Sequence, residues 1–285
     1  PKLVLVEGDT NSALAAALAA NKLDVPVGHV EAGLRSFDLR MPEEHNRRLI
    51  DHISTLLFAP TSLAKENLER ESVWGKIYVT GNTVIDACIQ HLPLAERKSR
   101  ILGQIDYREW ALVTIHRREN VDDKRILTEI IEALLEAPIP IVFPVHPRTK
   151  KMLVRAGIWR SLQKSSNVLL MNPVGYLDML MLMRHSKFII TDSGGIQEEA
   201  TAPVIRKKVL VTRVSTERVE AVESGFVELV GIRKDNILKG MESVLMSNHD
   251  LPNSSPYGDG KASVKIREAV KEFLDNEREF MEKLF

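Results

Sequence analysis

The stretch "KFIITDSGGIQEEA", residues 187–200, joins three local patterns. An apolar run, Phe188 to Ile190, closes on Thr191-Asp192. A turn follows at Ser193-Gly194-Gly195, and a helix then opens carrying two adjacent acids, Glu198 and Glu199. A short, continuously apolar strand that ends in a glycine turn and a helix is the unit of a parallel sheet covered on both faces. The same order recurs on either side of this stretch. "LVLV" (3–6) leads into "EGDTNS" and an alanine-rich helix, "VPVGHV" (25–30) into "EAGLRS", "TLLFAP" (55–60) into Thr61-Ser62, and "KIYVTG" (76–81) into "NTVIDACIQHL". Further on, "WALVTI" (110–115) runs into His116, "IPIVFPV" (139–145) into His146, and "KKVLVT" (207–212) into Arg213. Strands alternating with helices define an α/β chain of mostly parallel sheets. In such sheets ligands bind at the carboxyl ends of the strands, near the point where strand order reverses. The polar groups that close these runs are therefore expected on one rim of each sheet.

A length of 285 residues suits two domains, each with its own core. The charged stretch 91–110 separates two series of strands, so the expected divisions are 1–95, 96–260 and a closing amphipathic helix, 261–285, packed back on the first domain. Lys+Arg and Asp+Glu both number 39, so no whole-chain field draws the protein to nucleic acid or an anionic membrane. No apolar stretch reaches the roughly 20 residues needed to span a bilayer. Cys88 is the single cysteine, which excludes an internal disulfide and a thiolate metal cluster; its helix-like apolar position reads as a buried, inert thiol. The histidines show no HExxH-type spacing, and no zinc or other metal is expected. GxGxxG, GxxxxGK[ST] and GxSxG are all missing, which removes the sequence arguments for nicotinamide, P-loop and serine-hydrolase chemistry. The opening "PKLVLVEGDT" lacks Met and the features of a signal peptide and enters a strand at once, so the natural beginning is expected upstream.

Several groups at the strand ends suit chemistry. Backbone N–H groups at a helix start carry partial positive charge, and Ser193-Gly194-Gly195 would let an anion such as diphosphate approach them. Glu199 then lies within reach of sugar hydroxyls joined to that phosphate. The competing reading is that Asp192 or Ser193 caps the helix while the glutamates favour its dipole. Asp9 follows the first strand and reads either as an ordinary cap or as a functional acid. Glu31 ends an apolar strand; a salt bridge to Arg35 is the alternative to a reactive role. Glu43 and Glu44 follow Pro42 in a first helical turn, where solvated acids are common. Three carboxylates on one rim would raise one another's pKa and suit proton transfer near neutral pH. His116, ahead of Arg117 and Arg118, suits an anionic leaving group, or else is a surface histidine beside charges.

Taken in order, "GDTNS", "HVEAGLRS", "PEEHNR", "FAPT", "VTGNTVIDA", "TIHRREN", "PVHPRT", "TDSGGIQEEA", "TERVEAVESG" and "PYGDG" resemble the non-hydrolysing UDP-N-acetylglucosamine 2-epimerases. The resemblance extends from Leu3 to about Lys261. It implies two Rossmann-like domains facing a cleft, as in many glycosyltransferases, and a cytoplasmic homodimer that needs no cofactor. It implies interconversion of UDP-N-acetylglucosamine and UDP-N-acetylmannosamine by elimination and re-addition of UDP through a 2-acetamidoglucal. On the matching motifs, Asp9, Glu31, Glu43 and His116 take the acid/base and catalytic positions. Ser193, Gly194 and Gly195 take the diphosphate cradle, Glu199 the ribose contact, Arg218 a phosphate contact, and Val174 and Met179 the uracil contacts. The family's opening "GTRPE" turn is absent, which implies an incomplete amino-terminal sheet. Val214 and Val219 stand where Asp and Pro are usual. Two rivals remain at this stage: a UDP-sugar-binding protein without catalysis, and a hydrolysing epimerase that releases UDP.

Overall fold

The computed structural model describes residues 1–246 and 250–276. The chain forms two compact units: Pro1–Ala87 with the residues from Pro256 on, and Cys88–Ser255. The division lies within the helix Thr83–Lys98. The charged stretch that follows Lys98 makes only the short 3-10 turn Ile101–Gln104 before the next strand.

The first unit holds β1 (Val4–Glu7), β2 (Val27–Val30), β3 (Leu56–Ala59) and β4 (Lys76–Val79), paired in parallel in the order 1-2-3-4. The helix Asn11–Lys22 returns the chain from β1 to β2. Thr10 caps it, accepting from Ala13 N–H, and Ala13, Ala17 and Ala20 pack it closely against Val6, Val27 and Ile50. The helix Pro42–Ile53 starts on Pro42, whose fixed φ suits the first helical position. On the other side of the sheet, Leu56 and Phe58 meet Ile266, Ala269 and Phe273 of the helix Ala262–Asp275. Lys261 gives that helix no side-chain cap. Asp86 supplies one from far away in sequence: its carboxylate accepts from Ala262 N–H and from both Ser263 N–H and Oγ–H. The expected closing helix is described as far as Asp275, and residues 277–285 lie outside the described part.

The second unit holds β5 (Ala111–Thr114), β6 (Ile141–Pro144), β7 (Val168–Met171), β8 (Ile189–Thr191), β9 (Val209–Val211) and β10 (Val227–Leu229). All pair in parallel, in the order 10-9-8-5-6-7. Its core packs Val113, Phe143, Phe188, Ile190 and Leu210 against Ile130, Ile131 and Leu134 of the helix Lys124–Leu135 and Met241 of the helix Lys234–Met246. Burying each such side chain contributes roughly 1.5–3 kcal/mol. The chain moves from β5 outward through β6 to β7, then returns to β8 on the opposite side of β5. Strand order therefore reverses between β5 and β8, the switch point at which an open parallel sheet leaves a crevice for ligand. His116 follows one of these strands and Ser193 the other.

Candidate active site

At the switch point in the second unit, Asp192 holds the two loops together. Its fully buried carboxylate accepts from the backbone N–H groups of His116 (3.1 Å) and Arg117 (3.0 Å) and from Asn120 Nδ2 (3.1 Å). Asn120 Nδ2 donates also to the Thr212 carbonyl (2.8 Å), so the ends of β5, β8 and β9 are fixed to one another. Asp192 is thus occupied as a cross-strand lock. Ser193, at the N-cap position of the helix Gly194–Glu199, makes no side-chain capping bond. The capping reading of this turn fails, and its helix-end N–H groups are not consumed by Ser193 Oγ.

Around the turn lies a dense array of charge. A Cβ on Gly194 would sit 2.8 Å from Glu217 Oε1, 3.6 Å from Arg218 Nη2 and 3.7 Å from Arg117 Nη2, so glycine is what lets these groups close on the backbone. Glu217 is buried among Arg213 (3.0 Å), Arg117 (3.5 Å) and Arg218 (3.6 Å). Burial opposes its charge, but Arg218, Arg213 and Arg117 outweigh it and hold the carboxyl at about 2. Glu198 is buried and pairs with Arg218 Nε at 2.7 Å. Its neighbour Glu199 has the opposite fate: burial pushes it up to about 7, where it exchanges protons near neutral pH. Burial likewise lowers the His116 imidazole below its usual 6.5; Asp192 opposes this, while His146 and Arg117 add to it. The rings of His116 and His146 lie 5.7 Å apart, and His146 Nδ1 accepts from Arg148 N–H to cap the helix Pro147–Ala156. Val174 and Met179, both half-buried, flank the start of the helix Tyr176–His185 beyond β7. Burial raises the Tyr176 hydroxyl above its ordinary pKa, and the neighbouring Cys88, 3.8 Å away, and Glu199 add to the rise.

The first unit collects the acids on its own carboxyl rim. Asp9 does not cap the following helix, since Thr10 does; its carboxylate takes Arg47 Nη2 at 2.6 Å and Nε at 3.2 Å. Glu31 directly follows β2 with a φ of 76°, a left-handed conformation that costs a non-glycine residue of order 1 kcal/mol or more. It forms no pair with Arg35, which is engaged by Asp51 (2.8 Å) and Glu71 (2.7 Å); Asn82 Nδ2 donates to Glu31 Oε1 at 2.9 Å instead. Glu31 Oε2 lies 3.5 Å from where a Cβ on Gly8 would stand, so the Asp9 turn and Glu31 adjoin. The adjacent glutamates of the next helix divide sharply. Glu44 is fully buried and accepts from Ser36 N–H and Oγ–H, Phe37 N–H, Arg47 and Arg48. Burial works against its charge, but Ser36 N–H, Arg47, Ser36 Oγ–H and Arg48 hold the carboxyl below its usual range. Glu43 is half-buried, and its carboxylate makes no hydrogen bond or ion pair among the described residues. Among the described residues no group of His, Cys, Asp and Glu could hold a metal ion.

The sequence alone did not mark Asn120, Glu217 or Asn82, all of which position or balance the groups above, and it marked Arg213 only as the residue that closes a strand. Glu217 carried one signal, since it stands directly before Arg218 in "STER".

The sequence pattern of the family described as "UDP-N-acetylglucosamine 2-epimerase" matches residues 1–271. The chain is 44% identical over 275 residues to the UDP-N-acetylglucosamine 2-epimerase of Methanocaldococcus jannaschii, covering 93% of this chain and 74% of that protein. It is 42% identical over 274 residues to the UDP-2,3-diacetamido-2,3-dideoxy-D-glucuronate 2-epimerase of Pseudomonas aeruginosa, covering 94% and 74%. The crystal structure of the Methanocaldococcus jannaschii UDP-GlcNAc 2-epimerase in complex with UDP-GlcNAc and UDP matches with a TM-score of 0.88 and 43% identity, over 95% of this chain and 76% of that one.

Proposed function

Because this chain belongs to the UDP-N-acetylglucosamine 2-epimerase family, we propose that it interconverts UDP-N-acetylglucosamine and UDP-N-acetylmannosamine at C2, without releasing UDP as product. C2 of the sugar has no adjacent carbonyl to acidify its hydrogen, so simple deprotonation is slow. Elimination avoids this. One carboxylate takes the C2 proton, the C2–H electrons form a C1=C2 double bond, and the C1–O pair leaves with UDP. A second carboxyl group then delivers a proton to the opposite face of C2 as the UDP oxygen returns to C1. Asp9, Glu31 and Glu43 are the acids of this exchange, and His116 meets the charge that develops on the departing diphosphate.

The observation that carries this reading is the convergence at Gly194, on a strand-to-helix turn, of the Arg117 and Arg218 guanidiniums, which share the Glu217 carboxylate between them. Two guanidiniums and backbone N–H groups at one point suit a diphosphate that must stay bound while its bond to sugar is absent. Glu199 accepts the ribose hydroxyls, and the Val174–Met179 segment receives the uracil. The likeness to a relative named for UDP-2,3-diacetamido-2,3-dideoxy-D-glucuronate supports C2 chemistry and leaves the substituents at C3 and C6 to be tested. In deuterated water, UDP-N-acetylglucosamine should gain deuterium at C2 and yield the manno epimer with no free UDP accumulating. Absence of exchange refutes the reading, and UDP appearing in step with turnover would identify a hydrolysing enzyme. Supplying the diacetamido-glucuronate nucleotide in parallel distinguishes the two substrates.

A further inference from the structure

A circuit of charge runs through the first unit and closes on the Asp9 turn. Asp9 Oδ2 meets Arg47 Nη2 at 2.6 Å, and Arg47 Nη1 meets Glu44 Oε2 at 2.7 Å. Glu44 Oε1 accepts from Arg48 Nε at 3.2 Å, and Arg48 Nη2 lies 3.6 Å from Glu71 Oε1. Glu71 Oε2 takes Arg35 Nη2 at 2.7 Å, and Arg35 Nη1 meets Asp51 Oδ2 at 2.8 Å. Asp51 Oδ1 lies 2.6 Å from His29 Nδ1, and His29 Nε2 lies 3.0 Å from the carbonyl of Gly8, the residue before Asp9. The four acids Asp9, Glu44, Glu71 and Asp51 thus face three arginines, with His29 as the eighth member. The half-exposed His52 also reaches Glu71, with Nε2 3.7 Å from Oε2. A neutral His29 would leave the fully buried Asp51 to share the single charge of Arg35 with Glu71, and buried charge without a full counter-charge is costly.

The hydrogen bonds of the ring point the same way. A backbone carbonyl has no proton to give, so Nε2–H donates to Gly8 O. Asp51 Oδ2 accepts from Gly33 N–H at 3.2 Å and meets the Arg35 guanidinium at 2.8 Å, surroundings that favour a carboxylate over a carboxylic acid, so Nδ1–H is assigned as the donor to Oδ1. A ring that donates from both nitrogens is an imidazolium. We propose that His29, buried and doubly protonated, is a positioning residue for proton transfer: gripped by Asp51, it pins the Gly8 carbonyl and with it the turn that sets Asp9 beside Glu31. Its catalytic consequence rests on the epimerase reading, whereas its charge state does not. The groups that face His29 are Asp51 from the helix Pro42–Ile53, backed by Arg35 and Glu71, Glu31 at the end of its own strand, and the Gly8 carbonyl after β1. Burial opposes the ring's charge, but the Asp51 charge and hydrogen bond, the Gly8 carbonyl and Glu31 outweigh it and raise the pKa above 6.5. A raised histidine pKa means the clamp is complete below 6.5 and is released as pH climbs through the folded-state value.

The test combines nitrogen-15 NMR of the imidazole in the full chain with the variant His29→Gln. Both ring nitrogens should be protonated in most molecules at pH 6.5, where an ordinary histidine is half neutral, and a single protonated nitrogen there overturns the proposal. In C2 exchange, His29→Gln should lower kcat roughly 10- to 100-fold with KM within about two-fold, because a misplaced acid slows chemistry and leaves nucleotide binding alone. The wild type should show a fall in kcat as pH climbs above the ordinary histidine range, and the variant should lose it. Unchanged kcat with an unchanged pH profile overturns it. Should the wild type show no exchange at all, the epimerase reading fails and amide hydrogen exchange over residues 7–11 decides the clamp. Protection lost in His29→Gln supports it, and protection retained overturns it.

Discussion

Glu199 offers the most direct reading of the nucleotide site, because its titration falls where assays are run. If the ionised carboxylate accepts the ribose hydroxyls, only the deprotonated fraction of the protein binds productively. With a pKa of about 7, that fraction is roughly 10% at pH 6 and roughly 90% at pH 8. Affinity for UDP-N-acetylglucosamine should therefore rise about tenfold across that interval, or ~1.4 kcal/mol. The diphosphate diester of this ligand does not titrate near neutrality, so the slope belongs to the protein. Calorimetry at pH 6, 7 and 8 measures it, and repeating pH 6 in buffers of different ionisation heat should show close to one proton released per site. Glu199→Gln removes the titrating group. The variant should bind with an affinity that no longer rises with pH and should release no proton. A pH-independent affinity in the wild type, or the same rise in Glu199→Gln, refutes the ribose role.

Four further outcomes follow from the structure. Glu217 is held at about 2 against an ordinary 4.5, so Glu217→Gln should cost roughly 3 kcal/mol at pH 7. A depressed acid stabilises above its unfolded pKa and loses that contribution toward its folded one, so urea unfolding at pH 3.5 should show the difference reduced to about 2 kcal/mol. At Glu31, held at φ 76°, Glu31→Gly and Glu31→Ala both lose the carboxylate and should both abolish C2 exchange, but the glycine variant should be about 1 kcal/mol more stable to urea. Gly33→Ala should fail to give a stable protein by circular dichroism, because its Cβ would fall 2.2 Å from the Ala64 carbonyl oxygen at a φ of 84°. Cys88, whose thiol burial pushes up to about 12, should resist thiol reagents in the native protein at pH 8 and react after urea is added.

Most of the strands that sequence made plain are covered on both faces, although β1 and β4, the half-exposed edges of the first sheet, were legible as well from their Val, Ile, Leu and Tyr runs. β3, β5, β6, β8 and β9 are buried throughout, and their apolar runs are unbroken. β7 and β10 escaped notice, and they are the two edges of the six-stranded sheet. Each has a single fully buried residue, so selection for continuous apolarity is relaxed there and the runs "VLLM" and "VEL" do not stand out. The glutamate pairs show a second limit. In both "PEEH" and "QEEA" two identical acids follow one another, yet Glu44 and Glu198 serve as buried counter-ions while Glu43 is left unpaired and Glu199 titrates near 7. A helix turns its successive residues by about 100°, and only the packed surroundings say which of two neighbours faces an arginine.

Sequence alone therefore determined the α/β class, the parallel strands of each core and the strand ends where polar groups gather, because burial on both faces writes itself into local apolarity. Tertiary structure alone decided that strand order reverses between β5 and β8, that Asp192 locks two loops instead of capping a helix, and that His29 completes a circuit of charge with Asp51, Arg35 and the Gly8 carbonyl. Those contacts join residues as far apart in sequence as His116 and Asp192, and the charge on a buried group depends on which partners the fold brings to it.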